Sequence, residues 1–274
     1  YGGTEPDSGV RMSTDVAMGI AAVFACARVL SETLAELPLK IHERRADGGK
    51  APATQHPLYD PLHRQPNRWQ SSFEWRDQSG LHVVLDGNAY SQIVPGPRGF
   101  VDQLIPHEPR NVTVERLPGN GSGVPGPLQY RVRLMPSGNE IIIPDDQMFH
   151  LRGPSANGAV GLSVVALARE SFGLARAVQS YGSRFFGHNA MPRGILTMDG
   201  KLSDPAKTRF RESFKSEFAG PSRSHGIAMM EAGVSWQAIG LSNEDSQFLE
   251  TQGFSVGEIA RWFRMPPHMI GDLS

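Results

Sequence analysis

The stretch GLSVVALARESFGLARAVQSYGSRFFG, residues 161–187, decides the architecture of the chain. Its apolar residues recur at helical spacing, so we predict one helix of roughly 40 Å, at a rise of about 1.5 Å per residue. Alanine, glycine and serine fill much of the remaining surface, which allows neighbouring helices to approach closely. The predicted apolar stripe consists of Val164, Leu167, Leu174, Val178, Tyr181 and Phe185.

Three basic residues of this stretch, Arg169, Arg176 and Arg184, fall near one another on the predicted polar face of the helix. One interpretation is a face in contact with solvent. The other is a face that contacts another subunit or lines a channel. The sequence leaves both interpretations open.

Residues 1–160, before the long helix, have the pattern of an α+β region. Helices are predicted over 14–36 and 71–85, and the apolar residues of the first recur at Ile20, Phe24, Ala27, Leu30 and Leu34. A hairpin-type turn is predicted at 47–49. Alternating apolar residues between turn signals predict strands at 39–42, 89–94, 101–106, 112–116, 128–134, 140–143 and 148–151.

Residues 191–241, after the long helix, predict a compact α/β insert. Its strands are expected at 194–198, 227–230 and 235–239, and its helix at 204–218, where Pro205 occupies the first turn. A last helix is predicted over 242–264, with a bend at Gly253, and Pro266-Pro267 ends it. The predicted fold class is therefore α+β, with a β-rich N-terminal region, long helices and a small α/β insert.

The charge of the chain is balanced, because 27 lysines and arginines stand against 28 aspartates and glutamates. A protein that grips DNA tightly needs a basic excess, so non-specific DNA binding is not the expected activity. A conduit that lets DNA slide stays compatible with this balance. The single cysteine, Cys26, lies in an apolar stretch and is expected to be a buried thiol in a reducing compartment.

Residues 16–27 imitate a targeting signal, because they carry no acid and end in Ala25-Cys26-Ala27. The run is too short to span a bilayer, which takes about 20 apolar residues, and the helical pattern continues past it. We therefore predict a buried helix and no membrane association. The chain starts at Tyr1 without a methionine, so we expect residues to be missing at the front.

Motifs for enzyme chemistry are absent from the sequence. Gly200-Lys201 is followed by Leu202, so no phosphate-binding loop of the Walker type is formed. His56 and His63 are separated by prolines and lack the spacing of zinc ligands. We predict no catalytic residues, no cofactor and no metal site, and hence no enzyme.

One local pattern favours a different class of protein. Residues 255–263, SVGEIARWF, resemble the first helix of a helix-turn-helix DNA-binding motif. Pro266-Pro267 follows too soon for the usual turn, and no basic recognition helix comes after it. Sequence-specific DNA binding is kept as the alternative function.

Short motifs follow one another along nearly the whole chain in a characteristic order. They are Ala25-Cys26-Ala27-Arg28-Val29-Leu30, Leu37-Pro38-Leu39, His56-Pro57-Leu58, Pro66-Asn67, Gly87-Asn88-Ala89-Tyr90, Phe149-His150-Leu151, Gly161-Leu162-Ser163, Phe185-Phe186-Gly187, Pro192-Arg193-Gly194-Ile195-Leu196, Phe248-Leu249-Glu250, Glu258-Ile259-Ala260-Arg261 and Pro266-Pro267-His268-Met269-Ile270-Gly271. Each is weak alone, but their order and spacing resemble the portal proteins of tailed bacteriophages of the HK97 type.

The resemblance implies a dodecameric ring at one vertex of the capsid. Double-stranded DNA would pass through it without sequence specificity during genome packaging and ejection, and the ring would join head to tail. Residues 1–160 would be the wing, 161–190 the first stem helix, 191–241 the clip, 242–264 the second stem helix and 265–274 the start of the tunnel loop. Within that loop, His268, Met269 and Asp272 are the candidates for facing the channel.

The resemblance also implies partners and a location. The partners would be other copies of the chain, the large subunit of the terminase, the major capsid protein and a head–tail adaptor. The protein would be assembled in the host cytoplasm and found in the virion; a virus, a prophage and a gene-transfer particle all stay open as its source. Gln252 departs from the basic residue usual in the family, and family members continue beyond Ser274, so we expect the chain to be incomplete there.

Overall fold

The computed structural model describes residues 11–97, 100–119, 121, 124–187, 194–198, 208, 234–238, 253 and 255–273. The chain divides into two compact units, one formed by Tyr1–Ser180 with Thr251–Ser274 and the other by Tyr181–Glu250. In the described part, no helix has the length and apolar character needed to cross a membrane.

The chain begins with two helices, α1 (Thr14–Met18) and α2 (Ala21–Glu36). The prediction of one continuous helix over 14–36 is therefore wrong, because the helix is interrupted at Gly19 and Ile20. Gly19 ends α1, and Ile20 is extended and buried, so its side chain enters the core. Glycine has a low helix propensity, and the burial of Ile20 compensates for the interrupted helix.

The buried face of α2 agrees with the predicted stripe only in part, at Ile20 and Ala27. Val23, Cys26 and Ala27 are fully buried, whereas Phe24 and Leu34 are 47% and 53% exposed. Small side chains lie inside because the neighbouring helix comes very close. The buried thiol of Cys26 is confirmed, and burial raises its pKa to about 11.

That neighbour is α4 (Ser72–Asp86), which follows a short helix, α3 (Tyr59–His63). Ser71 and Glu74 form a capping box that starts α4. A Cβ atom on Gly80 would lie 3.2 Å from Cα of Ser31, so glycine permits the close packing of α4 on α2. Arg76 donates two hydrogen bonds to the carbonyl of Ala35, at 3.0 and 2.8 Å, which satisfies the end of α2.

In the sequence between α2 and α3 lies a small hairpin, formed by β1 (His42–Arg44) and β2 (Lys50–Pro52). The turn predicted at 47–49 is confirmed, with Gly48 at a positive φ of 81°. The strand predicted at 39–42 is displaced, because the pairing begins only at His42.

Two antiparallel sheets make up the β-rich region. Their strands are β3 (Asn88–Pro95), β4 (Val101–His107), β5 (Val112–Arg116), β6 (Leu128–Arg133), β7 (Glu140–Pro144) and β8 (Met148–Arg152). The six strands predicted between 89 and 151 are thus confirmed within one residue at each end. One sheet has the order β4-β3-β8 and the other β5-β6-β7.

The long helical stretch begins later than predicted and is interrupted. Helix α5 (Val164–Leu167) is capped by Ser163, and α6 (Arg169–Gly187) follows a break at Ala168. The chain is helical again at 253 and over 255–262, and one 3-10 turn covers Pro267–Ile270. The strand predicted at 227–230, most of 242–254 and all of the predicted helix 204–218 except residue 208 lie outside the described residues.

The second unit contains one described pair of strands. They are β9 (Gly194–Met198) and β10 (Val234–Ala238), and they are antiparallel. The strand predicted at 194–198 is confirmed, and the one predicted at 235–239 is shifted by one residue. The boundaries predicted for wing, stem helices and clip remain predictions.

Two apolar clusters stabilise the first unit. The helical cluster joins α1, α2, the end of α4, α5, α6 and the C-terminal segment; its buried members are Ala17, Ile20, Val23, Cys26, Ala27, Leu85, Val165, Ala168, Phe172, Ala175, Ile259, Ala260, Phe263 and Met265. The β cluster lies in the strand region and buries Tyr90, Tyr130, Val132, Ile143 and Met148.

Candidate functional site

The start of the long helical stretch is attached to the β-rich region by two glycines. Gly87, after α4, has a φ of 74°, and a Cβ atom there would lie 2.3 Å from the carbonyl oxygen of Leu162. A Cβ atom on Gly161 would lie 1.9 Å from the carbonyl oxygen of Gly87. Only glycine fits on either side of this crossing of two backbones.

Asn88 holds the same crossing together with its side-chain amide. Its Nδ2 donates to the carbonyls of Asp86 (3.0 Å) and Gly161 (3.1 Å). Its Oδ1 accepts the N–H of Gly161 at 2.7 Å and lies 3.0 Å from Nε2 of His150. Ser163 adds a bond from its hydroxyl to the carbonyl of Leu85 at 3.0 Å. Three of the sequence motifs therefore meet at one joint.

His150, on β8, extends this hydrogen-bond network toward the sheet β5-β6-β7. Because Oδ1 of Asn88 is an acceptor, Nε2 of His150 carries the proton, and Nδ1 faces the Tyr130 hydroxyl at 3.2 Å. The same hydroxyl lies 3.2 Å from Asp145. Burial, together with the positive charge of Arg152, lowers the pKa of His150 from 6.5 to about 4, so the imidazole is neutral at pH 7.

Helix α6 is anchored to the segment 255–263 by one aromatic pair and by two linked side-chain hydrogen bonds. Phe172 is fully buried and stacks on Phe263, with ring centroids 6.1 Å apart and an interplanar angle of 11°. The hydroxyl of Ser171 donates to Glu258 at 3.3 Å, and the Trp262 indole N–H donates to Ser171 at 3.2 Å. The segment 255–263 thus packs along the first half of α6.

The apolar stripe predicted for this helix is wrong in part. Leu167, Leu174 and Tyr181 are 54%, 47% and 50% exposed, whereas Val165, Ala168, Phe172 and Ala175 are buried. The buried row contains two alanines because the segment 255–263 and α2 pack close to it. Leu167, Leu174 and Tyr181, spaced seven residues apart, therefore lie on a flank that no described residue covers fully, while Phe172 is buried.

The predicted basic face is formed in part by the described residues. Arg169 and Arg176 are seven positions apart on α6, and their side chains contact Glu170 (3.4 Å) and Gln179 (3.4 Å). Arg184 belongs to the same helix, but its side chain lies outside the described residues. What these arginines contact in an assembly remains a prediction.

The three channel candidates lie together on one C-terminal turn. Arg264 has a φ of 53° and Gly271 a φ of 82°, so the backbone turns sharply on either side of the 3-10 turn Pro267–Ile270. His268 and Met269 are exposed, and the half-buried Asp272 donates its N–H to the carbonyl of Pro267 at 3.1 Å. The buried Met265 fixes this turn to the helical cluster. Their predicted role in a channel stays a prediction.

Sequence reasoning missed two features of this region. The role of Asn88 follows from contacts distant in sequence, although its place in the motif Gly87-Asn88-Ala89-Tyr90 was a signal. The exposed flank of α6 was missed because hydropathy ranks leucine above alanine. Among the described residues, no group of three His, Cys, Asp or Glu side chains is arranged to hold a metal ion.

The helix-turn-helix interpretation of the segment 255–263 gains no support. Ile259, Ala260 and Phe263 are buried in the helical cluster, so this helix packs within its own unit. A 3-10 turn at Pro267–Ile270 follows where a recognition helix would begin.

Comparison with known proteins gives a consistent result. The family model for phage portal proteins matches residues 21–274. The probable portal protein of Streptomyces phage phiC31 is 33% identical over 97% of this chain and 58% of its own length. The portal protein of Enterobacteria phage HK97 is 30% identical over 93% of this chain and 58% of its own length. The chain thus spans little more than half of these relatives.

Solved structures share the fold. The neck of a native gene-transfer-agent particle, computed with C12 symmetry, matches with a TM-score of 0.69, at 22% identity, over 95% of this chain and 70% of that one. An HK97-family portal protein from Corynebacterium diphtheriae matches with a TM-score of 0.55, at 16% identity, over 95% of this chain and 80% of that one. With the family model matching nearly the whole chain, the protein belongs to the phage portal protein family.

Proposed function

We propose that the chain is a subunit of a dodecameric ring that conducts double-stranded DNA through one vertex of a capsid. The ring would serve genome packaging, head–tail joining and DNA ejection, and would act as a structural component and not as an enzyme. The observation that carries the proposal is the family match over residues 21–274. The C12 symmetry of the gene-transfer-agent neck, which has the same fold, supports the number of subunits.

The surface of the helical region supports an assembly of many copies. Phe24, Leu34, Leu167 and Leu174 are each about half exposed, although smaller residues such as Ala27, Ala35 and Ala175 are buried. Exposed large apolar residues on a monomer commonly mark interaction surfaces. In the ring, these side chains would contact neighbouring copies.

The parts of the chain would divide the work of the ring. Residues 1–160 would form the wing, 161–190 the first stem helix, 191–241 the clip and 242–264 the second stem helix. The clip would bind the large terminase subunit during packaging and head–tail adaptors afterwards, and the ring would contact the major capsid protein. The protein would be assembled in the host cytoplasm and found in the virion.

Residues 265–274 would begin a tunnel loop that approaches DNA. His268 and Met269 are exposed on the C-terminal turn, next to Asp272. The balance of 27 basic against 28 acidic residues suits a channel that does not hold DNA tightly. On the stem, Arg169, Arg176 and Arg184 would face a neighbouring subunit or the channel.

The mass of the purified protein in solution, with negative-stain images of any large species, tests the ring. We expect particles of about twelve copies with a central hole, in line with the C12 neck. A compact monomer with sequence-dependent affinity for DNA would refute the proposal and favour the DNA-binding alternative.

The channel residues are tested by substitution in a packaging reaction. The triple change His268→Ala, Met269→Ala and Asp272→Ala should leave ring assembly intact and alter the amount of DNA packaged. A matched control is the exposed Met135→Ala, far along the chain in the loop after β6. Packaging equal to that of the control would remove these residues from the channel.

A further inference from the structure

We propose that the hairpin β1–β2 of one copy docks into an acidic groove beside strand β7 of a second copy. The inference rests on the proposed function, because it assigns a contact between neighbours in the ring. Both surfaces belong to the same chain, so each copy would use its hairpin on one side and its groove on the other.

The hairpin has little support from the rest of its own chain. All three residues of β1 are exposed, and in β2 only Ala51 is buried. Leu37 and Leu39, which lead into the hairpin, are 63% and 42% exposed. A two-stranded hairpin is marginally stable in water without further packing. The hairpin and its approach therefore present a surface that suits a partner.

The charges of the hairpin indicate what the partner should offer. The register places Arg44 directly opposite Lys50, and Arg45 follows at once. Like charges in directly opposite positions destabilise a strand pair. None of these three side chains forms an ion pair with a described residue. A partner that supplies carboxylates would relieve this repulsion.

The groove beside β7 supplies both carboxylates and apolar surface. The groove lies at the end of the sheet β5-β6-β7, and its lining includes the apolar Leu117, Leu128 and Ile142 together with Asp145 and Asp146. Ile142 is 62% exposed although it lies in a sheet. β7 is an outer strand of its sheet, so one of its edges is not paired within the described residues.

The acidic groups of this groove lack basic partners in the described part of the chain. Asp145 accepts a hydrogen bond from the Tyr130 hydroxyl at 3.2 Å, and neither Asp145 nor Asp146 forms an ion pair with a described residue. Arg131, which is opposite Ile142 in the register, is already paired with Glu115 at 2.9 Å and lies 3.9 Å from Glu140. The groove therefore keeps two carboxylates for a basic partner.

These two surfaces are complementary in charge and in apolar character. A closed ring needs a contact between two different surfaces of the same chain. Opposite charges across such a contact fix its register and exclude wrong pairings. Arg44 and Lys50 would meet Asp145 and Asp146, while the leucines before the hairpin would cover the apolar lining of the groove.

Charge exchange tests the contact in the whole protein. Arg44→Glu with Lys50→Glu places acids against acids, and Asp145→Lys with Asp146→Lys places bases against bases. Each variant should lower the assembled fraction more than about tenfold, because juxtaposed like charges cost several kcal/mol. Mixing the two variants should restore assembly, because the reversed hairpin of one fits the reversed groove of the other.

Two further measurements keep the test decisive. Arg64→Glu with Arg68→Glu makes the same change in net charge as the hairpin variant, at another place on the chain, and should leave assembly unchanged. Carbodiimide treatment of a mixture of unlabelled and 15N-labelled wild-type protein at high concentration should join Lys50 to Asp145 or Asp146 between differently labelled copies.

Three outcomes would overturn the inference. Rings that form normally from both charge-exchanged variants would leave the proposed function intact and remove this contact. Loss of double-stranded DNA binding in the hairpin variant, with no rescue on mixing, would assign the basic hairpin to DNA instead. Wild-type protein that gives neither rings nor cross-links between copies would overturn the ring itself, and this contact with it.

Discussion

The helical cluster and the β cluster bury side chains of different size. The β cluster is built around Tyr90 and Tyr130, whose rings meet edge to face with centroids 5.9 Å apart. In the helical cluster alanine recurs, and its largest buried residues are Phe172 and Phe263. Close helix packing thus buries several small residues beside a few large ones, while other large apolar side chains of the same helices, such as Phe24 and Leu174, are about half exposed.

The outer surfaces of the two regions also differ, in the polarity of their exposed side chains. On the sheet β5-β6-β7, Arg131 and Arg133 form ion pairs with Glu115 and Glu140, and the exposed Ile142 lies opposite Arg131. On the helices, Phe24, Leu167 and Leu174 are exposed instead. The contrast separates a sheet surface with charged pairs from a helical surface with apolar side chains, which neighbouring copies would cover in the proposed ring.

The largest expected effect comes from removing the aromatic anchor of the helical cluster. Phe172→Ala should lower the free energy of unfolding by about 3–5 kcal/mol, because it leaves a cavity against Phe263. Chemical denaturation measures the loss. As a control, Leu174→Ala on the same helix should cost less than about 1 kcal/mol, since Leu174 is 47% exposed. Equal losses would mean that the two faces of α6 are wrongly assigned.

The second-largest loss of stability is expected at the joint of Gly87, Asn88 and Gly161, which connects the two regions. Asn88→Ala should cost about 2–4 kcal/mol, because the buried N–H and carbonyl of Gly161 lose their partners, at about 1–3 kcal/mol each. The exposed Asn139→Ala is the matched control and should change the unfolding free energy little. A loss no greater than that of the control would show that the amide network does not hold the joint.

The β cluster should respond to pH through its histidine. The pKa of His150 is lowered from 6.5 to about 4, so the unfolded chain binds a proton in this range that the folded chain does not. Stability is therefore retained above about pH 6.5 and falls as the pH drops toward about 4, with a slope of at most about 1.4 kcal/mol per pH unit for this proton.

Unfolding measured at several pH values in wild type and in His150→Gln tests this. His82 also has a lowered pKa, about 4, from burial, and serves as an internal comparison. Removing His150 should make the pH dependence shallower while that of His82 persists. An unchanged slope in His150→Gln would contradict the assignment.

The smallest expected effect is at Leu167, the last residue of α5, on the exposed flank that continues along α6. Leu167→Ser should change the stability of an isolated copy by about 0.5 kcal/mol or less, since the side chain is 54% exposed. The same change should weaken assembly. Native mass spectrometry and denaturation on one preparation compare the two effects; a large loss of stability with normal assembly would reverse the comparison.

The sequence predicted the strands better than the faces of the helices. The strands of the β-rich region follow from alternation and from turns such as Asp47-Gly48-Gly49, which are local signals. The faces of α2 and α6 depend on how closely other helices approach. Hydropathy alone therefore placed Phe24 and Leu174 inside, where the structure has Cys26 and Ala175.

The candidate site shows the same limit of sequence-based prediction, because contacts between distant residues are not contained in a local pattern. The resemblance assigned His268, Met269 and Asp272 to the start of a tunnel loop, and the prolines before them predicted where the last helix ends. The joint at Gly87 and Gly161 needs contacts between residues more than seventy positions apart, which no local pattern contains.

A cryo-EM map of the assembled protein tests the central claim most directly. The account predicts a closed ring in which residues 265–273 face the axis and neighbouring copies cover Phe24, Leu167 and Leu174. A ring whose axis is lined by other segments, with these apolar side chains in contact with water, would contradict it.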